Sequence, residues 1–196
     1  MPPIPPITQF LMLACTAVFC LQAFTPLVDA WFALFPVASS YFLPWQLLTY
    51  AFLHGSVLHL FFNMLGLWMF GSELEMLWGR KRYMAFLAIG AIFGGLLFLV
   101  ATALPGAGMS RLVGASGGIY ALLIAAAMYF PDRTVMPLFP PIPMKMKVFV
   151  IVFGVISLVL SWTGDLGSLA HLGGMLGGYL TIRYWRGQPP FNKRRR

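Results

Sequence analysis

The sequence predicts an all-α membrane protein that crosses the bilayer six times. Of its 196 residues, 60% are hydrophobic and only 9% are charged, whereas an ordinary soluble domain has about 25% charged residues. Too few polar groups remain to cover the surface of a soluble domain of this size. Long charge-free stretches and a one-sided distribution of basic residues are the other two observations that point to this class.

The charge-free stretches locate the predicted helices, each of which needs about 20 apolar residues to cross the hydrocarbon. The six expected spans are Ile7–Phe24, Leu47–Phe70, Tyr83–Leu104, Gly114–Phe130, Val148–Trp162 and Leu166–Trp185. They predict one domain over residues 7–186. A short N-terminal segment, residues 1–6, would precede it, and a basic tail, residues 187–196, would follow it.

Residues 30–45 carry no charge, but two prolines interrupt any helix there. The segment is rich in aromatic side chains, which favour the headgroup region of a bilayer. We therefore predict an interfacial loop with Trp31, Tyr41 and Trp45 at the membrane surface.

The basic residues predict the orientation of the chain. Three follow the second span, three follow the fourth, and six lie at or beyond the end of the sixth, whereas Arg111 alone lies on the other side. Since cytoplasmic loops carry the excess of Lys and Arg, both termini are expected in the cytoplasm. No transit peptide is recognised, so a bacterial plasma (inner) membrane is the expected location. The net charge of +8 is then a topology signal, and no nucleic-acid partner is expected.

Histidines inside the predicted spans are the first candidates for function, because ionisable groups are costly in hydrocarbon. His54, His59 and His171 all fall in those spans. His59 and Asn63 are four residues apart and share one helix face, which indicates a common ligand. The alternative for each histidine is a hydrogen bond that joins neighbouring helices.

A glycine-rich segment, residues 114–118 (GASGG), opens the fourth span. Its glycines allow a sharp turn that would expose Ser116 and leave backbone N–H groups free. The alternative is close helix packing, since Gly114 and Gly118 form a G-x-x-x-G pair.

The sixth span contains two offset G-x-x-x-G pairs within residues 173–178. Such pairs allow the backbone to approach another helix closely. If that helix is the fourth span, His171 comes within reach of Ser116, because their depths in the membrane differ by only about 5 Å.

Cys15 and Cys20 are five residues apart, which places them on different faces of a helix. No nearby histidine or carboxylate completes a ligand set. We therefore expect them to be small core or lipid-facing residues, and we expect no metal and no cofactor.

Taken in order, the motifs resemble the rhomboid family of intramembrane serine proteases over nearly the whole chain. The matching pieces are Trp45-Gln46-Leu47-Leu48-Thr49, Phe52-Leu53-His54, His59-x-x-x-Asn63, Gly71-x-x-x-Glu75, Gly114–Tyr120 and Ala170-His171-x-x-Gly174. Their order, spacing and placement are similar to those of the six-span core form of that family. The resemblance implies a six-helix bundle that hydrolyses peptide bonds within the membrane.

The resemblance also implies the roles of the site residues. Ser116 would be the nucleophile and His171 its general base. His59 and Asn63 would form the oxyanion hole together with the Ser116 backbone N–H.

Other positions would support this site. Tyr120 would pack against the His171 ring, and Gly174 would permit close helix contact. Glu75 would be a structural acid near the cytoplasmic end of the second span. The remaining supporting positions are Gly114, Gly117 and His54. The chain departs from the family at Gln46, where an arginine often helps to order the first loop.

No carboxylate in the sequence is placed to orient His171, so we expect a Ser–His dyad in which packing fixes the imidazole tautomer. A transmembrane helix must unwind before its peptide bonds can be cut. The expected partners are therefore the lipid bilayer and single-span membrane proteins with Gly, Pro or other poor helix formers near their outer membrane boundary.

Three other functions stay open at this point. A catalytically silent rhomboid-like protein would bind membrane clients without cutting them, although the presence of all four central residues argues against it. A small transporter or channel would use the histidines as a proton path, and its flux would survive Ser116→Ala. A histidine metal site lacks any cysteine or carboxylate at a matching depth.

Overall fold

A computed structural model describes residues 4–105, 110–138 and 140–191. The helices, in chain order, are α1 (Pro6–Phe24), α2 (Leu27–Phe32), α3 (Gln46–Thr49), α4 (Val57–Gly66), α5 (Ser72–Trp78), α6 (Arg80–Thr102), α7 (Ser116–Tyr129), α8 (Met146–Trp162) and α9 (Gly167–Trp185). A 3₁₀ turn, Tyr50–Phe52, follows α3, and a π-helical segment, Leu67–Gly71, joins α4 to α5. Part of the predicted basic tail, residues 192–196, and the first three residues lie outside the described ranges.

Within the described residues, three helices are long and apolar enough to cross a membrane by length and composition, namely Pro6–Phe24, Val57–Trp78 and Arg80–Thr102. The second of them contains α4, the π-helical segment and α5. Of the two shorter apolar helices, Ser116–Tyr129 packs against α6, and Met146–Trp162 packs against α7 and α9. Backbone polar groups in hydrocarbon must be satisfied within the segment, which a helix achieves. This mostly helical, apolar architecture is that of a multi-pass membrane protein, as the sequence predicted.

The all-α prediction missed two small β features of the described residues, the first of which is a single antiparallel bridge between Leu34 and Leu112. Two short strands, β1 (Thr134–Val135) and β2 (Met144–Lys145), pair antiparallel before α8. Two-residue strands give no alternating apolar pattern, so the sequence offered no signal for them.

The second apolar stretch is not one helix over residues 47–70, and this prediction was wrong at both ends. The long helix spans Val57–Trp78. It begins there because Ser56 is its N-cap, with Oγ accepting the His59 backbone N–H at 3.1 Å. His54 consequently lies in the turn before the helix and not inside a span. The residues on both sides of Ser56 are apolar, so composition could not locate this start.

Two acidic residues lie in the last turns of this helix, and both are paired. Glu73 accepts a bidentate pair of hydrogen bonds from Arg133. Glu75 is 3% exposed and accepts the backbone N–H groups of Ile7 at 2.9 Å and Thr8 at 2.7 Å. These N–H groups belong to the first turn of α1, where a carboxylate is stabilised by the helix dipole. Glu75 therefore caps α1 and fixes it to α5.

Helix α9 packs between α6 and α7 through its two glycine pairs. One pair faces α6, where a Cβ added to Gly173 would lie 2.5 Å from the carbonyl oxygen of Phe93. The other pair faces α7, where a Cβ added to Gly174 would lie 2.8 Å from the carbonyl carbon of Gly117. Each glycine pair thus packs against a different helix, and the contact with α7 determines the position of His171 relative to that helix.

Residues 30–45 were predicted to be a loop, but their first residues belong to α2, which ends at Phe32. Trp31 and Trp45 are exposed and stack with their ring centroids 6.4 Å apart. The Trp45 indole N–H donates to the Trp31 carbonyl at 3.0 Å. The two rings therefore form one aromatic unit on the surface of this segment.

Gln46 organises the same segment from inside, with a side chain that is 0% exposed. Its Oε1 accepts the backbone N–H groups of Phe35 at 3.3 Å and Leu43 at 3.1 Å. Its Nε2 donates to the Tyr41 carbonyl at 2.9 Å and contacts two further carbonyls of the segment. The chain thus anchors this loop with an amide at the position where the family often has an arginine.

Gln46→Ala is expected to lower the free energy of unfolding by about 2 kcal/mol, because buried backbone groups of the loop lose their partners. Unfolding in detergent, followed by circular dichroism, measures the change. Gln9→Ala is the matched control, since Gln9 is exposed on α1. Equal stability of the two variants would contradict the anchoring role of Gln46.

Candidate active site

Ser116 and His171 lie in direct contact at the starts of two neighbouring helices. Ser116 is the first residue of α7, and His171 lies just after the first turn of α9. The distance between Ser116 Oγ and His171 Nε2 is 2.9 Å. The two backbones come this close because Gly174 packs against Gly117. At this distance a hydroxyl proton can pass to an imidazole nitrogen.

Two further side chains contact the His171 ring, Tyr120 on its face and Ser157 at its Nδ1 edge. The Tyr120 ring lies parallel to it, with the centroids 4.1 Å apart and an angle of 5° between the planes. On the far edge, Ser157 Oγ of α8 lies 3.2 Å from His171 Nδ1 and donates to the Tyr120 hydroxyl at 3.2 Å. Both ring packing and a hydrogen bond therefore hold His171, and the sequence predicted only the packing. The sequence signal for the hydrogen bond was the Ser157 hydroxyl, which lies seven residues after Val150 and hence on the same buried face of α8.

Gly114 lies between Ser116 and His59, and the His59 ring packs closely against it. Its φ of +124° favours glycine. A Cβ at this position would lie 2.7 Å from His59 Nε2 and 3.7 Å from Ser116 Oγ. The Gly114 N–H donates to the Tyr50 carbonyl at 2.9 Å, which fixes the turn. The structure therefore brings Gly114, His59 and Ser116 together.

Asn63 lies one turn beyond His59 on α4 and is 4% exposed. Its Nδ2 donates one hydrogen bond to the His59 carbonyl at 2.9 Å. A side-chain amide has two N–H donors, so this local bond uses one of them.

His54 lies behind His59 and is 2% exposed. The two rings meet edge to face with their centroids 5.2 Å apart. Among the described residues, neither ring nitrogen of His54 has a hydrogen-bond partner. Gln22 holds its backbone, accepting the N–H at 3.0 Å and donating to the carbonyl at 3.3 Å. An ion pair between Asp29 and Arg111 at 2.8 Å supports Gln22, whose amide donates to Asp29.

Helix α7 begins at Ser116, in contact with His171. Its N-cap is Ala115, and no side chain in the described ranges caps it. The first backbone N–H groups of a helix have no intrahelical acceptor and carry partial positive charge. The Ser116 N–H is therefore available to an anion beside the Ser116 hydroxyl. A hydroxyl, a base and nearby anion donors are the groups that acyl transfer requires.

The two cysteines of α1 differ in exposure. Cys15 is buried and Cys20 is exposed. In the described part of the chain, no group of three or more His, Cys, Asp or Glu residues is placed to hold a metal ion.

Comparison with known proteins matches this sequence to one family. The model of the rhomboid domain matches residues 42–187. Rhomboid protease GlpG of Yersinia pestis (strain Pestoides F) is 33% identical over 93 residues, which are 46% of this chain and 33% of that protein. Presenilin-associated rhomboid-like protein A, mitochondrial, of Danio rerio is 32% identical over 193 residues, which are 93% of this chain and 48% of that protein. The aligned parts thus cover less than half of either relative.

Proposed function

Because this chain belongs to the rhomboid family, we propose that it is a serine endopeptidase that cleaves membrane proteins within the bilayer. Ser116 is the nucleophile and His171 is the general base. The observation that carries the proposal is the 2.9 Å contact between Ser116 Oγ and His171 Nε2. The dyad works without a carboxylate on His171. The nearby Asp165 is exposed and accepts a hydrogen bond from the Ser168 hydroxyl at 2.6 Å.

The reaction proceeds through an acyl-enzyme. Ser116 Oγ attacks the scissile carbonyl carbon as its proton passes to His171 Nε2. The same nitrogen then gives the proton to the leaving amine. Water repeats the sequence on the ester and frees Ser116.

The negative charge on the carbonyl oxygen is stabilised by the Ser116 backbone N–H at the open start of α7, by His59 and by Asn63. The close approach of His59 to Gly114, two residues before Ser116, supports this assignment. Donors fixed before the reaction cost no reorganisation in the transition state.

Asn63→Ala is expected to lower kcat about 10²- to 10³-fold, because one donor to the developing oxyanion is lost. KM is expected to change little, since that charge is absent from the bound substrate. Steady-state kinetics on a quenched peptide substrate measure both constants. An unchanged kcat would remove Asn63 from the oxyanion hole.

We further propose six crossings, made by α1, Val57–Trp78, α6, α7, α8 and α9. Alternation then puts the starts of α4, α7 and α9 on one side, which is the side of the site. The excess of Lys and Arg on the opposite side supports cytoplasmic termini. The site would open below the outer face. Substrates would be single-span proteins with helix-breaking residues near that boundary.

Cleavage of a single-span substrate with a helix-breaking outer segment tests the proposal. Purified wild type, Ser116→Ala and a control, Ser110→Ala, are compared in detergent, and mass spectrometry locates the cut. Ser110 is exposed in the loop before α7. We expect one cut near the outer boundary by wild type and the control alone. No cut by any of the three on several substrates would favour a client-binding protein without protease activity, and an equal cut by all three would contradict Ser116 as the nucleophile.

A further inference from the structure

Ser157 contacts the one nitrogen of His171 that the proposed dyad does not use. Its Oγ lies 3.2 Å from His171 Nδ1, on the opposite edge of the ring from Ser116. Within the described residues, Ser116 and Ser157 are the hydrogen-bond partners of this ring. The position corresponds to that of the orienting carboxylate in a Ser-His-Asp triad.

The hydrogen-bond directions around Ser157 determine its effect on His171. The Ser157 hydroxyl can donate its one hydrogen to the Tyr120 hydroxyl, which lies 3.2 Å away. In that arrangement Ser157 Oγ accepts from His171, so Nδ1 carries the proton. In that tautomer Nε2 has a free lone pair, as a general base for Ser116 requires.

Burial raises the cost of losing the hydrogen bond between Ser157 and His171. Ser157 is 1% exposed and lies on the same buried face of α8 as Val150 and Phe149. A hydroxyl in such apolar surroundings is costly without a partner. Removing it leaves a buried Nδ1–H without an acceptor, which disfavours the productive tautomer.

We infer that Ser157 is a positioning residue that holds the His171 imidazole in the Nδ1–H tautomer. This role rests on the proposed Ser116–His171 dyad, because it matters only if His171 Nε2 is the base. Ser157 forms no covalent bond and takes up no proton. The Ser116 proton still passes to Nε2 and from there to the leaving amine.

Steady-state kinetics of Ser157→Ala test the inference against a merely structural role. We expect kcat to fall about tenfold, the equivalent of one net hydrogen bond, with KM within about twofold of wild type. Ser161→Ala is the matched control, because this serine lies one turn further along α8 and donates to the Leu158 carbonyl of its own helix. Unchanged kcat in Ser157→Ala, or a loss confined to KM, would overturn the inference and leave the dyad standing.

A spectroscopic measurement decides the tautomer without relying on activity. Nitrogen-15 NMR of protein with ring-labelled histidine distinguishes Nδ1–H from Nε2–H, and loss of a signal in His171→Gln identifies the residue. We expect the Nδ1–H form in wild type and an increased Nε2–H fraction in Ser157→Ala. The Nε2–H form in wild type would overturn the inference. Inactive wild type with the Nδ1–H form would instead refute the proposed function.

Discussion

Ser116→Ala and His171→Ala are each expected to reduce the rate of substrate cleavage at least about 10⁴-fold. Without the Ser116 hydroxyl no acyl-enzyme forms. Without His171 the hydroxyl keeps its proton and is a poor nucleophile. The measurement is the initial rate of fragment release at saturating substrate.

Because the two side chains act as one unit, the double variant should be no slower than either single variant. Multiplicative losses would instead indicate two independent contributions. Stability should be little changed by Ser116→Ala, since the hydroxyl is half-buried at a helix start. A His171→Ala variant that keeps substantial activity would contradict its role as the base.

Gly174→Ala is expected to lower kcat at least about 10²-fold, because small displacements of reacting groups have effects of this size. The added Cβ would lie 2.8 Å from the carbonyl carbon and 3.0 Å from the Cα of Gly117. Both are backbone atoms of α7 that no rotamer change can move. Helix α9 must shift away from α7, which separates His171 from Ser116. Overpacking should also lower the free energy of unfolding by about 1–3 kcal/mol.

Gly154→Ala on α8 is the control for a glycine that has room. Its nearest neighbour would be Met175 Cε at 3.3 Å, the flexible end of a side chain. Activity and stability should stay close to wild type. Gly174→Ala with wild-type kcat and stability would show that the α7–α9 contact does not place the dyad.

Much of the fold could be predicted from the sequence because lipid imposes simple rules. Charge-free stretches located α1 and the helices from α6 onward to within a few residues. The glycine pairs of α9 predicted a close contact, since without side chains the backbones can meet. The proximity of Ser116 and His171 was also expected, but only if the sixth span packed against the fourth. The sequence alone could not say which helix α9 would contact.

Other features could not be predicted because they depend on hydrogen bonds across the fold. The position of His54 outside a helix follows from the Ser56 cap within an apolar stretch. Gln46 anchors a loop through carbonyls that only the folded chain brings together. Ser157 is one hydroxyl in an apolar span, and its relation to His171 exists only after α8 packs on α9. Hydropathy and spacing carry none of this information.

A serine-reactive fluorophosphonate tests the central claim most directly, because it needs no choice of peptide substrate. Ser116 Oγ should bond to phosphorus as fluoride leaves, with its proton taken by His171. Purified wild type and His171→Ala are incubated with the reagent, and mass spectrometry locates the adduct. We expect a single adduct on Ser116 in wild type and none on the same timescale in His171→Ala. An adduct on another serine, or equal labelling of both proteins, would contradict a Ser116 nucleophile activated by His171.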